Sequence, residues 1–243
     1  MKPMSKKEEV LDILTHGSLA LKGQFTLGSN YTFLVNAALH GRSLKAVYKP
    51  VKGGIPLYDF APASLARREV AAYLLSEALG WDFVPPTVIR RRAPYGMGSL
   101  QEFIPHDPQA NYFSFDEKIR QSLCPVVVFD LLLNNADRKG SHILRDLQGE
   151  LKLIDHGLCF HAEPKLRTVI WDFGGQPIPK ALLGDVSRLL QDLAPETPLQ
   201  SALAEYLSEL ELKALGQRAA ALLAHPFFPL PDPERRPFPW PLV

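Results

Sequence analysis

The chain has 243 residues, 46% of them apolar and 22% charged, a balance that excludes wholesale disorder and suits one large domain or two tightly packed lobes. Twenty-seven basic and 26 acidic residues leave a net charge of +1, which excludes attachment to nucleic acid or anionic lipid by bulk charge. A chain of this length buries roughly 70% of its unfolded surface, so it needs no disulfide framework.

Cys124 and Cys159 sit in apolar runs without a CxxC pair and read as buried small hydrophobes of a reducing compartment. The N-terminal MKPMSKKEEVLDIL is charged and then amphipathic, without the apolar region of a leader. No run reaches the ~18 apolar residues that cross a bilayer. A soluble, cytoplasmic protein is the expectation.

In chain order, Phe25 to Leu34 and Leu44 to Lys49 carry the β-branched and aromatic residues of strands, separated by the turn-like His40-Gly41-Arg42. Ser64 to Leu79 follows as a helix, with Ser64 placed to cap it, an apolar face containing Val70, Tyr73 and Leu75, and Gly80 to stop it. Thr87 to Arg92 and Gly98 to Ile104 read as two further strands. Ile119 to Leu133 is a long apolar helix, and the hairpin ILRDLQGELKLI turns at Gln148-Gly149. Two amphipathic helices are expected between Lys180 and Leu223, the second running from Pro198. The fold class is therefore α+β: a small mixed lobe over residues 1–104, a helical lobe over 105–225, and a join near Pro105. Residues 226–243 hold seven of the 22 prolines and cannot form a helix or a central strand. They are either a strap docked through Phe227, Phe228, Phe238 and Trp240 or a free tail for a partner.

The densest polar cluster within apolar sequence is Asn134-Asn135-Ala136-Asp137-Arg138-Lys139-Gly140-Ser141-His142. The hairpin after it ends in Asp155-His156-Gly157, with Gly157 expected to let the chain turn sharply. One carboxylate on a loop and one closing a buried strand are what a nucleophilic hydroxyl and a divalent cation require. Upstream, Lys49 ends an apolar strand and Glu69, taken as a first-turn residue of the next helix, is placed to pair with it. Gly23, Gly28 and Ser29 lie in a hairpin whose amides would cover phosphates. Each part has an ordinary alternative: a snorkelling lysine, a counter-ion for Arg68, a simple hairpin, an Asx-rich turn. The distinguishing feature is their order along the chain. Arg138 reads as a brace for the loop, while Lys139 fits either the loop or a phosphate.

NNADRKGSHIL followed by LIDHGL resembles the catalytic and metal-binding loops of the phosphatidylinositol 3- and 4-kinase family. The closest likeness is to its compact bacterial members, and more distantly the chain is similar to HipA-type kinases. The resemblance covers roughly residues 21–190 and implies a bilobal protein-kinase-like fold. It also implies an ATP-dependent transfer of phosphate to the hydroxyl of a lipid, protein or small molecule. It would make Asp137 the catalytic aspartate, with Lys139 beside it, and Asp155 the metal ligand. Lys49 would bind phosphate, Glu69 would hold Lys49, and Gln101, Glu102, Phe103 and Ile104 would form the hinge that meets adenine. Asp130 would anchor the catalytic loop, and residues 156–179 would hold the acceptor. His142 stands where the family carries a metal-ligating asparagine, and imidazole suits Mn²⁺ better than Mg²⁺. That departure leaves open a manganese enzyme, a direct phosphate contact, or loss of the second metal site, and it favours the alternative of a nucleotide-binding pseudokinase acting as an interaction module. AMP transfer on the same scaffold is a variant. A hydrolase built on His142, Asp155, His156 and His161 is a further alternative. Arg90-Arg91-Arg92 and Arg67-Arg68 are too short for a polybasic lipid patch.

Overall fold

The structure, a computed structural model, describes residues 4–25, 31–52 and 58–243. The chain opens with helix α1 (Lys6–His16), started by a capping box in which Ser5 and Glu8 satisfy each other's backbone amides. Strands β1 (Ser18–Phe25), β2 (Thr32–Leu39) and β3 (Arg42–Pro50) follow, then helix α2 (Pro62–Leu79) and strands β4 (Thr87–Arg90) and β5 (Gly98–Glu102). The five strands form one antiparallel sheet in the order β1-β2-β3-β5-β4.

The sheet differs from the sequence expectation at its start. Phe25 closes β1 and Thr32 opens β2, so the residues expected to form one strand belong to two arms of a hairpin. The antiparallel β1–β2 pairing agrees with the hairpin expected of this stretch and replaces the single strand drawn from Phe25 to Leu34.

β3 alternates as a half-buried strand should. Ala46, Tyr48 and Pro50 face inward, and the first two join Val10, Leu14, Phe33, Val35 and Leu100 in a core under α1. Lys49 consequently points to the opposite face. Gly98 pairs across from Pro50, where a Cβ would meet the Lys49 carbonyl and lie 2.8 Å from the Tyr48 ring. Only glycine lets β5 lie this close to the lysine-bearing strand.

α2 begins at Ala61 with Pro62 in the first turn and ends at Gly80, whose φ of 71° forms a left-handed cap. Ser64 is not the cap; its hydroxyl donates to the Ala61 carbonyl at 2.7 Å. Glu69 therefore lies two turns in rather than in the first turn. The buried face of α2 (Ala71, Ala72, Leu75 and Leu79) packs into the larger, helical core. The small lobe is thus joined to the large one by a shared helix rather than at Pro105 alone.

The helical part holds α3 (Glu117–Gln121), α4 (Cys124–Leu133), α5 (Lys180–Asp192), α6 (Pro198–Ala204) and α7 (Glu209–Ala224), with the hairpin β6 (Ile143–Arg145) and β7 (Leu151–Leu153). The expected single helix over 119–133 is two, because Pro125 restarts the chain as α4. The long helix expected from Pro198 is likewise broken by Ser208, whose capping box with Glu211 starts α7 afresh. In α4, Val126, Val128, Phe129, Leu132 and Leu133 are fully buried, each worth about 1.5–3 kcal/mol of transfer free energy. Cys159 is buried as expected, but Cys124 at the start of α4 is only half-buried.

Residues 226–243 run along the helical body. The Phe228 N–H donates to the Gln176 carbonyl at 2.9 Å, Thr168 N–H to Pro237 at 3.0 Å, and Gly140 N–H to Leu242 at 2.8 Å. No described helix is long and apolar enough to cross a membrane.

Candidate functional site

α4 ends at Asn134 in the left-handed conformation (φ 51°), and the loop that follows is built around Asp130 and Arg138. Both side chains are fully buried, and the guanidinium lies on the carboxylate with Nε–Oδ2 3.0 Å and Nη2–Oδ1 2.9 Å. Arg138 also donates to the Ile154 carbonyl at 3.1 Å and to His156 Nε2 at 2.9 Å. Asn135 donates to Asp130 at 2.9 Å and accepts the Asp137 N–H at 3.0 Å. Arg138 therefore braces the loop, and Asp130 anchors it.

Asp155 follows β7 with a φ of 62°, so the sharp turn is made by the carboxylate-bearing residue itself and not by Gly157. Its Oδ1 accepts from Lys49 Nζ at 2.8 Å, and the same ammonium lies 2.5 Å from Glu69 Oε1. Glu69 is nearly buried, and its second oxygen accepts the His156 N–H at 3.0 Å. Glu69 is thus Lys49's partner and not that of Arg68, which pairs with Glu211 and lies over the Phe60 ring. Burial works against charge on Lys49 and Asp155. The mutual field more than reverses it, holding the ammonium above its usual range and the Asp155 carboxyl well below its own.

Asp137 sits in the opposite electrostatic situation. Burial pushes its carboxyl up to about 6, Lys139 partly offsets this at 3.4 Å, and Asp155 adds to the rise. His142 lies in a 3-10 turn with Nε2 3.3 Å from Asp155 Oδ2, and burial lowers it to about 4, so it is neutral. Its Nδ1 receives the Lys139 N–H at 3.4 Å, a tautomer assigned from the hydrogen-bond network that leaves the proton on Nε2, facing Asp155.

Among the described residues no three His, Cys, Asp or Glu side chains converge to hold a metal. His156 is buried beneath Arg138, and His161 packs against Phe60 at a ring distance of 5.4 Å. The four residues of the hydrolase alternative are therefore not one centre. Asp155 and His142 alone reach a common point.

The expected hinge residues follow one another along the end of β5. The Gln101 side chain is committed to Thr87 at 2.8 Å, Glu102 N–H to Pro86 at 2.9 Å, and Phe103 N–H to Lys45 at 3.0 Å. The Ile104 N–H takes no hydrogen bond among the described residues. Gly28 and Ser29 lie outside the described residues. Sequence reasoning passed over Arg167, whose N–H donates to Asn135 at 2.8 Å and whose carbonyl accepts from Arg138 at 3.0 Å. No local pattern marks it, because its position comes from the return of a distant segment.

This geometry meets a family description. The sequence model for phosphatidylinositol 3- and 4-kinases matches residues 63–210, which include Glu69, Asp137 and Asp155. The chain belongs to the phosphatidylinositol 3- and 4-kinase family. Protein Rv2133c of Mycobacterium tuberculosis is 39% identical over 98% of this chain and 97% of its own length. Phosphatidylinositol 4-kinase gamma 4 of Oryza sativa subsp. japonica is 32% identical over 44% of this chain but only 22% of that protein. The family is thus represented here in a compact form with a bacterial relative of nearly equal extent. The crystal structure of the Helicobacter pylori proinflammatory kinase CtkA matches with a TM-score of 0.54 at 13% identity, covering 88% of this chain and 94% of that one. That likeness is one of fold, and it makes the antiparallel sheet and helical body the two lobes of a kinase-like arrangement.

Proposed function

We propose that the chain is an ATP-dependent phosphotransferase that passes the γ-phosphoryl group to a hydroxyl of its acceptor. The observation that carries this reading is the contrast between Asp155, held ionised beside Lys49, and Asp137, buried with its carboxyl raised to about 6. A carboxylate that stays charged suits a cation, and one poised near neutrality suits receiving a hydroxyl proton. Lys49, fixed by Glu69, would donate to nucleotide phosphates, and the Ile104 N–H would meet the base. Asp155, with His142 beside it, would hold Mg²⁺ or Mn²⁺ through one or two side chains, leaving the other positions to water and phosphate. The ion supplies charge neutralisation across the phosphates when bound. Asp137 accepts the acceptor's O–H proton as that oxygen bonds to the γ-phosphorus and the bridging oxygen leaves with ADP.

The test is product analysis with ATP and either cation. ADP formation that is abolished by Asp155→Asn supports the reading, whereas AMP with pyrophosphate replaces it by nucleotidyl transfer. His142 at the second ligand position favours a different outcome, nucleotide binding without turnover. Saturable ATP binding with no product under either cation would establish that alternative.

A further inference from the structure

Between α4, α7 and residues 162–166 lies an open groove of about 600 Å³. Lys49, Asp137 and Asp155 are not among its lining residues. On α7, Ala214, Arg218, Ala221 and Leu222 recur at helical spacing and share one face, where the two alanines leave room above the backbone. Leu131 of α4 and Phe227 complete a largely apolar surface. Phe227 is 57% exposed, unlike the buried Phe228 beside it, so its ring belongs to the groove and not to the core.

One cation stands in this apolar face. Arg218 donates through Nε to the Leu132 carbonyl at 2.7 Å, which satisfies an acceptor in the last turn of α4. Its terminal nitrogens are poorly served. Nη1 reaches the His161 carbonyl only at 3.4 Å, and Nη2 is buried with no acceptor among the described residues. Among the described residues no carboxylate lies within ion-pair distance of Arg218. Glu211 acts on it electrostatically, but that carboxylate is bonded to Arg68 and to the Ser208 N–H. Burial lowers the guanidinium to about 10, and Cys159 and Glu211 offset this only in part. A helix cap explains the Nε bond and leaves the fork of Nη1 and Nη2 without a purpose.

We propose that this groove binds a small amphipathic carboxylate, with its two oxygens on Nη1 and Nη2 of Arg218 and its aliphatic part along Leu131, Ala221 and Leu222. The planar fork of a guanidinium matches the two oxygens of one carboxylate. A single cation balances a single negative charge, which favours a carboxylate over a phosphate. Apolar walls reduce the competition from water at the charged end, and each methylene they cover adds roughly fourfold in affinity. The volume lies within the range of small-molecule sites. The site stands apart from the proposed reaction, so its test needs no turnover.

Octanoate, 1-octanol and acetate present chain with charge, chain alone and charge alone, and each is titrated against the full chain by calorimetry. Octanoate is expected to bind at least about tenfold more tightly than either of the others. Arg218→Met should remove the preference for octanoate over octanol. Its fold is checked by thermal unfolding, because the Leu132 carbonyl loses its donor in this variant. Ala221→Trp keeps the guanidinium and fills the groove from an exposed position, so it decides the matter where the first variant does not fold. It should weaken octanoate binding by about tenfold or more. No octanoate binding to the full chain, equal affinity for octanoate and octanol, or an octanoate affinity unchanged in Ala221→Trp overturns the proposal.

Discussion

Lys49 reaches Asp155 across 106 positions of sequence, with Nζ 2.8 Å from Oδ1, while also holding Glu69. One ammonium thereby ties the sheet, α2 and the end of β7 to a single point.

Removing that cation leaves Glu69 buried with only the His156 N–H. Lys49→Met is expected to cost about 2 kcal/mol in denaturant unfolding, less than a fully buried pair because the lysine side chain is 26% exposed. Nucleotide affinity should fall with it. Adding Glu69→Met should recover part of the stability and none of the affinity, a split that a double-mutant cycle reads directly.

The raised Asp137 carboxyl gives a pH signature. The proton-accepting form predominates above about 6, so kcat should rise with pH through that value. Stability should run the other way. The unfolded chain releases this proton near 4 and the folded one near 6, so the group weakens the fold as pH climbs through that window. Asp137→Asn should lower kcat by about 10²–10⁴ and yet unfold at a higher temperature than the parent at pH 7. A variant that loses activity and stability together would refute the raised carboxyl.

Asp130 and Arg138 form a pair without solvent access. Asp130→Ala leaves a buried guanidinium without its counter-ion and is expected to cost about 3–5 kcal/mol. Because the pair is dry, added salt should leave the difference between the two unfolding curves unchanged.

Under the proposed phosphotransfer, His142 would govern which cation is used. With the proton on Nε2 it donates toward Asp155 and offers no lone pair until that proton moves. His142→Asn supplies an oxygen at the same place, so the variant should shift its preference from Mn²⁺ toward Mg²⁺. An unchanged ratio of rates with the two ions would place His142 outside the metal's coordination.

The parts of the site legible in the sequence were those encoded locally. Asp137, Arg138 and Asp155 sit in short polar stretches interrupting apolar ones, and Lys49 ends a strand whose alternation gives its facing. Glu69 was legible as a partner but not in its place on α2, because proline at 62 and not serine at 64 starts the helix. The hairpin of β1 and β2, expected around Gly28 and Ser29, was legible, but the β1–β2 register was not, since no spacing rule fixes that Phe25 pairs with Thr32. Arg167 meets Asn135 and Arg138 only through chain return, and no spacing rule links them.

The bond from Gly140 to Leu242 has a practical side. Residues joined after Val243, such as an affinity tag, would leave the body one residue from the carbonyl that accepts the Gly140 N–H of the Asp137 loop. A fusion at that end would begin beside the loop that carries Asp137, while one before Met1 would lie at the other end of the chain. Assays on the two forms of tagged protein should therefore be compared before low turnover is attributed to the chain itself.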